Sequence, residues 1–421
     1  MKILFTSKKQ RAYVKSIPSF NIISALKKIN DDVTDIHILA DDGSKDNEYK
    51  IKPLEYNYKF FEEYNTDNIS RILELEKPDV LISSNDYDYF GRAFIISAKK
   101  KNIPTVLLLQ GIFVDIYLTK SKKPLVKNRY IILRKRGKFI FKKFRLLLKT
   151  YKKLGYSTSK ILKLIIDDII TPFFYSEPSG KYGCDLILVT NENDKKALQE
   201  RGIKSEILIT GDPEVDSTFR KIQTYKSKKS TSNKLKIILL TTAMIEHGLW
   251  TKKMWEDTMT QVIKGICVDF KEKMELALKI HPTSELIQDY EELFEKIGLK
   301  VPIFQTKDLF EVICEADIIL TLEGGTWANW SAILVGKPLI IVNTLKDTEV
   351  SKFPYLKEKI AYELNDIKEL PTIIEEIQKN YNSEKNKEFI EKQHYKFDGK
   401  SSERSAIAII DLIKKKRIEH K

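Results

Sequence analysis

No stretch of this 421-residue chain approaches the roughly eighteen uncharged apolar residues that a membrane-crossing helix needs, which excludes a fold built on spanning helices. Cysteine is scarce. Cys184, Cys267 and Cys314 are scattered, odd in number and without metal-ligand spacing, which excludes a disulfide framework and points to a reducing compartment. The apolar run at Met1 to Lys9 is too short for a signal peptide and fits a first buried strand. A cytoplasmic protein is therefore expected, soluble or peripheral on the inner face of the plasma membrane. Acidic residues are absent from Lys120 to Lys163, which holds 17 Lys and Arg; against a whole-chain charge of +14, the remainder is 14 minus 17, a net −3. No recognition helix, zinc motif or aromatic platform accompanies that charge, so nucleic acid is not an expected partner.

What the chain does contain is material for two cores. Its 42% hydrophobic content, with 20 Phe, 19 Tyr and 4 Trp, is that of a globular protein. Its length exceeds what a single core serves, so two domains are expected. Within the basic segment, Ile140, Phe144, Leu147, Leu148, Tyr151 and Leu154 share one helical face, while Lys138, Lys142, Arg145, Lys149 and Lys152 share the other. Two readings stay open for this amphipathic helix. It lies on an anionic membrane surface, with Lys120 to Lys163 as the contact, or its apolar stripe packs on its own domain beneath a solvated Lys face.

Short buried strands are predicted at Ile3 to Ser7, Ile36 to Ala40, Val80 to Ser83, Thr105 to Leu109, Leu186 to Thr190 and Glu206 to Thr210, with helical patterns between them. Such alternation yields a parallel, doubly wound α/β sheet. Leu235 to Thr241, Glu275 to Lys279, Ile318 to Leu322 and Leu339 to Val342 repeat the plan. The expected organisation is an N-terminal Rossmann-like acceptor domain over 1–220 with a basic insertion at 120–175, and a linker over 221–234. A nucleotide-donor domain over 235–397 and a C-terminal helix over 398–421, N-capped by serine and packing back towards the N-terminal domain, complete it. Two Rossmann-like domains facing across a cleft at their carboxyl edges is the fold class these elements imply.

Two stretches carry the chemistry. Glu323-Gly324-Gly325-Thr326 leaves bare backbone between a buried strand and a helix start, where N–H groups and the positive end of the helix dipole meet an anion. His281 follows the strand ending at Lys279, and Pro282 cannot extend a central strand, so the imidazole sits at a strand's carboxyl end, where ligands of open α/β sheets gather.

The chain resembles glycosyltransferases of the two-Rossmann-domain (GT-B) type. The pattern is closest to the group with UDP-N-acetylglucosamine 2-epimerases, CDP-glycerol glycerophosphotransferases, and capsular polysaccharide and sialic-acid-type transferases. The resemblance rests on Pro78 to Asp86 with Gly91-Arg92-Ala93 and Ile103-Pro104-Thr105-Val106; on Gly211-Asp212-Pro213 with Asp216; on the His281-Pro282 pair and the run from Glu323 to Pro338; and on Asp398 to Arg404. Leu109 stands where the epimerases keep a catalytic glutamate, and Thr241-Thr242-Ala243-Met244 where they carry a His-Arg pair, so the machinery of epimerisation is missing. Ala328, Asn329, Trp330 and Ser331 replace the carboxylate that binds the donor ribose, leaving Asn329 or Glu323 as candidates.

The resemblance implies a metal-independent transferase of surface polysaccharide or glycoconjugate assembly. It moves a sugar from a nucleotide-sugar donor to a hydroxyl of a glycan or lipid-linked acceptor. Donor contacts are expected from Thr241, Thr242, His281, Glu323, Gly324, Gly325, Thr326 and Asn329. Asp86, a catalytic candidate with His281, is the expected base, and it equally fits a helix cap; Gln110 and Asp115 are further acceptor-side candidates. No cofactor is implied beyond the donor, of UDP or CMP/CDP type. A CDP-alcohol phosphotransferase and a noncatalytic nucleotide-binding protein of the same fold remain as alternatives.

Overall fold

The computed structural model describes residues 1–8, 18–40, 57–84, 86, 88–109, 141–174, 180–225, 234–246, 250–282, 284–322, 326–345, 350 and 353–419. The chain divides into two compact units, one of Met1–Ser217 with Lys392–Lys421 and one of Thr218–Glu391. The strands, in chain order, are β1 Lys2–Lys8, β2 Thr34–Ala40, β3 Tyr58–Phe60, β4 Val80–Ser83, β5 Thr105–Leu108, β6 Leu186–Val189 and β7 Glu206–Ile209 in the first unit. In the second they are β8 Leu235–Leu240, β9 Met274–Lys279, β10 Ile303–Phe304, β11 Ile318–Leu322, β12 Leu339–Val342 and β13 Tyr362–Leu364.

Both sheets are parallel throughout, ordered β3-β2-β1-β4-β5-β6-β7 and β10-β9-β8-β11-β12-β13. Each chain path starts at a central strand, runs to one edge, returns and runs to the other. This is the doubly wound α/β order expected from the alternating pattern, and it sets a topological switch point at β1/β4 and another at β8/β11. Side-chain alternation explains how each sheet is covered on both faces. Ile3 and Phe5 pack with Ile22 and Leu26, whereas Leu4 between them packs with Phe90 and Phe94.

The last thirty residues belong to the first unit. Ala406, Ile409, Leu412 and Ile413 of the helix Ser401–Glu419 pack against the helix Pro18–Ile29 and one face of the first sheet. Ser401, expected as an N-cap, is the first helical residue; the anionic cap is Asp216, which accepts from Ser401 N at 3.0 Å, Ser402 N at 2.7 Å and Ser402 Oγ at 2.6 Å. A carboxylate suits this end of the helix dipole. Arg404 Nε donates to Thr210 O, and its Nη1 donates to both Asp398 oxygens.

Residues 221–224, read from sequence as the start of a linker, are instead the last turn of the helix Val215–Thr224. Lys221 pairs with Asp308 and lies over the Phe310 ring, and Tyr225 meets that ring edge-on, so this segment is anchored in the second unit. Residues 226–233 lie outside the described residues.

Of the basic segment, 120–140 lies outside the described residues, and the remainder forms a helix over 141–153 and a helix Thr158–Phe174. The first packs part of its apolar stripe on its own unit, the second of the two readings left open by the sequence. Leu147 and Tyr151 are buried in the first unit's core, Phe144 lies 5.1 Å from Tyr89, and Leu154 packs at the margin. Its lysines are engaged too. Lys142 pairs with Glu62, and Lys149 and Lys153 both pair with Asp67, which holds that carboxyl down at about 2. Phe141, at the start of this helix, remains 66% exposed. Among the described residues no helix is long and apolar enough to cross a membrane.

The joint between β7 and the last helix yields a stability test. Gly211 has φ +83°, and a Cβ there would meet Ser401 Oγ at 2.5 Å and the His394 carbonyl at 3.1 Å. Gly202 has φ +75° with nothing within 4 Å. Chemical unfolding of G202A should show only the left-handed penalty of about 1 kcal/mol, and G211A about 2–3 kcal/mol more. Equal losses would mean that the joint is loosely packed.

Candidate functional site

At a switch point of a parallel sheet the flanking connections leave in opposite directions, so the carboxyl ends of the two strands are not covered by a crossover. In the second unit these are the ends of β8 and β11, with β9 beside β8. Three of the sequence candidates meet here. Thr241 follows β8, its N–H donating to the Lys279 carbonyl at 3.1 Å, and Thr242 Oγ1 donates to the carbonyl of Leu322, the last residue of β11, at 3.3 Å. His281 follows β9 by two residues.

The His281 ring is held by its own loop. Nδ1 accepts from the Ser284 backbone N–H at 3.1 Å, so in the neutral imidazole the proton is on Nε2, a donor suited to an anionic oxygen. Glu285 closes the loop from the other side. Its Oε2 accepts from the His281 backbone N–H at 2.5 Å and from Thr241 Oγ1 at 2.5 Å, and its Oε1 accepts from the Tyr290 hydroxyl at 2.7 Å. Burial and the neighbouring carboxylate raise the Tyr290 phenol, so it stays a donor. Lys279, whose ammonium is disfavoured by burial, donates to the carbonyls of Ile280 and Gln305.

Sequence reasoning missed two residues here. Glu285 stands four positions after the histidine, a spacing that a loop-closing hydrogen bond explains, but its partners at 241 and 290 become visible only in the fold. Ala243 is buried at φ +37°, a left-handed conformation that costs a non-glycine residue about 1 kcal/mol or more and marks the turn leaving β8. Nothing in an alanine announces this.

Thr326 uses its hydroxyl to cap the helix Trp327–Val335 through Ala328 N at 3.3 Å, and that helix starts at the carboxyl edge beside β11. Glu323, Gly324 and Gly325 lie outside the described residues. Asn329 is fully buried, and its Nδ2 donates to the Tyr355 hydroxyl at 3.0 Å. The sequence holds no arginine between 221 and 391, so within that span an anion must be met by imidazole, hydroxyls, amides and lysine.

In the first unit, Asp86 is fully buried and accepts through Oδ2 from Gly180 N at 2.8 Å and Tyr182 N at 3.3 Å, 94 and 96 positions along the chain. Arg92 lies beside it, fully buried, 3.9 Å from the Tyr182 ring centre and hydrogen-bonded to the Tyr151 hydroxyl. Through Oδ2 the carboxylate ties the 180–182 turn to the end of β4. Gln110 and Asp115 lie outside the described residues. Among the described residues no cluster of three His, Cys, Asp or Glu side chains could hold a metal ion.

No protein-family model matches this chain, and no curated protein sequence does. Solved structures do. UDP-GlcNAc 2-epimerase from Methanocaldococcus jannaschii, in complex with UDP-GlcNAc and UDP, is 16% identical, with 98% of this chain and 100% of that chain covered at a TM-score of 0.52. A putative UDP-N-acetylglucosamine 2-epimerase from Listeria monocytogenes is 12% identical over 97% and 96%, at 0.55. The wall teichoic acid polymerase TagF, soaked with CDPG, is 13% identical over 98% and 89%, at 0.52. At these identities the likeness shows the fold: two Rossmann-type units of the GT-B kind spanning nearly the whole chain.

Burial pushes the Asp86 carboxyl up to about 6 from 3.8. An acid raised in the folded state holds its proton more tightly there than in the unfolded chain. Its burial penalty is therefore absent below about pH 4, grows as pH rises, and is complete above about 6, where it amounts to about 3 kcal/mol. Urea unfolding from pH 4 to 8 should lose this component in D86N, whose profile flattens relative to the unsubstituted chain. Identical profiles would show that Asp86 is solvated.

Proposed function

We propose that the chain is a transferase that binds a nucleotide-activated sugar at the carboxyl edge of its second sheet and passes the sugar to a hydroxyl of a glycan or lipid-linked acceptor. The observation that carries this reading is the placement of His281. Its ring is held by Ser284 N at Nδ1, which makes Nε2 the donor, and its backbone N–H shares the Glu285 carboxylate with Thr241 Oγ1 at the end of β8. A nucleotide phosphate leaving the sugar gains charge as the bond breaks, and groups already aimed at that position stabilise it without reorganising. His281 Nε2–H and the start of the helix Trp327–Val335 supply such groups in a metal-independent route, with Thr242 bracing the edge through the Leu322 carbonyl.

The likeness to proteins crystallised with UDP-GlcNAc, UDP and CDPG supports a nucleotide-linked donor. Epimerisation is disfavoured by Leu109 and by Thr241-Thr242 at the positions named above. TagF keeps a CDP-alcohol phosphotransferase open as a second reading, since its donor shares the phosphates and differs in the base and the group moved.

A thermal-shift panel of UDP, CDP, CMP and GDP separates the two. One uridine or cytidine nucleotide should stabilise the protein by about 3 kcal/mol at a hundredfold excess over its Kd. H281A should lose most of that stabilisation while the ligand-free protein stays within about 1 kcal/mol of the original. No shift with any nucleotide would overturn the reading, and a response to CDP with turnover of a CDP-alcohol would favour the second.

A further inference from the structure

We propose that Glu285 is a positioning residue that makes the ends of β8 and β9 a single rigid anion-binding unit, acting through His281 rather than touching the ligand. This rests on the donor-site reading above. Four elements converge on the residue. Thr241 Oγ1 comes from the end of β8, the His281 N–H from the end of β9, and the Tyr290 hydroxyl from the first turn of the helix Ile287–Ile297. Gln305 Nε2, just past β10, donates to the Glu285 carbonyl at 3.0 Å. The side chain is only 5% exposed.

The hydroxyl and amide donors to Glu285 are neutral, and the nearby Lys279 ammonium is the cation that faces the carboxylate. An ionised carboxylate accepts on both oxygens and donates nothing, so it holds several donors in one fixed geometry. The result is a reciprocal closure of the loop. Glu285 holds the His281 backbone from below, while the His281 ring holds Ser284 N. Rotation of the imidazole away from the β8 end would break the second bond, and lifting the loop would break the first. Thr241 spends its hydroxyl proton on Glu285, which assigns it to this brace and leaves the Thr242 hydroxyl as the one reaching towards β11.

The test uses the full chain with E285Q, H281A and the double variant, in two measurements. The first needs no nucleotide. Histidine-selective ¹⁵N NMR, with the His281 signal assigned by its loss in H281A, should show the Nε2–H tautomer in the original protein and a mixture of tautomers in E285Q. An unchanged His281 signal in E285Q overturns the inference whatever the nucleotide results are. The second is calorimetric titration with UDP and CDP. E285Q should weaken binding about tenfold, H281A by a similar factor, and the double variant no further than H281A alone, because both act on one contact. Independent, multiplying losses would contradict the assignment and make Glu285 a general stabiliser. If the original chain binds neither nucleotide, the donor-site reading fails, and the NMR arm still decides whether Glu285 sets the histidine.

Discussion

The carboxyl edge of a parallel sheet is where backbone polarity is least settled. Strands end, helices begin, and at a switch point no crossover closes the gap, so the groups there must be fixed by side chains or remain loose. In the second unit the Glu285 carboxylate does this fixing. Two of the three strand ends that build the site, β8 and β9, are joined through it, and Thr242 adds the third by reaching the last carbonyl of β11. Remove that carboxylate and His281 still follows β9 by two residues but loses the bond that holds its backbone to the end of β8.

The first unit uses its buried carboxylates differently. Asp216 caps the last helix across 185 positions of sequence, and Asp86 pins the 180–182 turn to the end of β4. Both are buried and satisfy backbone amides within the fold. The same chemical group therefore serves as architecture in one unit and, one step behind a histidine, as the support of a binding edge in the other. Its partners decide which.

Strands with three or more consecutive apolar residues were legible because burial on both faces writes them as hydrophobic runs; β4, β8, β11 and β12 fall within a residue of expectation. The edge strands β3, β10 and β13, of two or three residues, carry no such run and owe their form to the neighbour they pair with. His281 was placed by a local rule, that proline cannot continue a central strand. The hydrogen bonds of Asp86 and Asn329 could not be read from sequence, because their partners, Gly180, Tyr182 and Tyr355, lie far away along the chain. Periodicity revealed the helix over 141–153 but not what its apolar stripe meets, since core and lipid ask for the same residues. The Glu323 to Gly325 turn, on which the phosphate reading leaned, lies outside the described residues.

The central claim is that an anion rests where β8, β9 and β11 end, against the Nε2 side of His281. A crystal structure of the chain with UDP or CDP tests it most directly. The account predicts a phosphate oxygen within hydrogen-bond reach of His281 Nε2, about 2.6–3.2 Å, beside Thr242 and the start of the helix Trp327–Val335. A nucleotide seated elsewhere, with His281 still turned into its own loop, would contradict it.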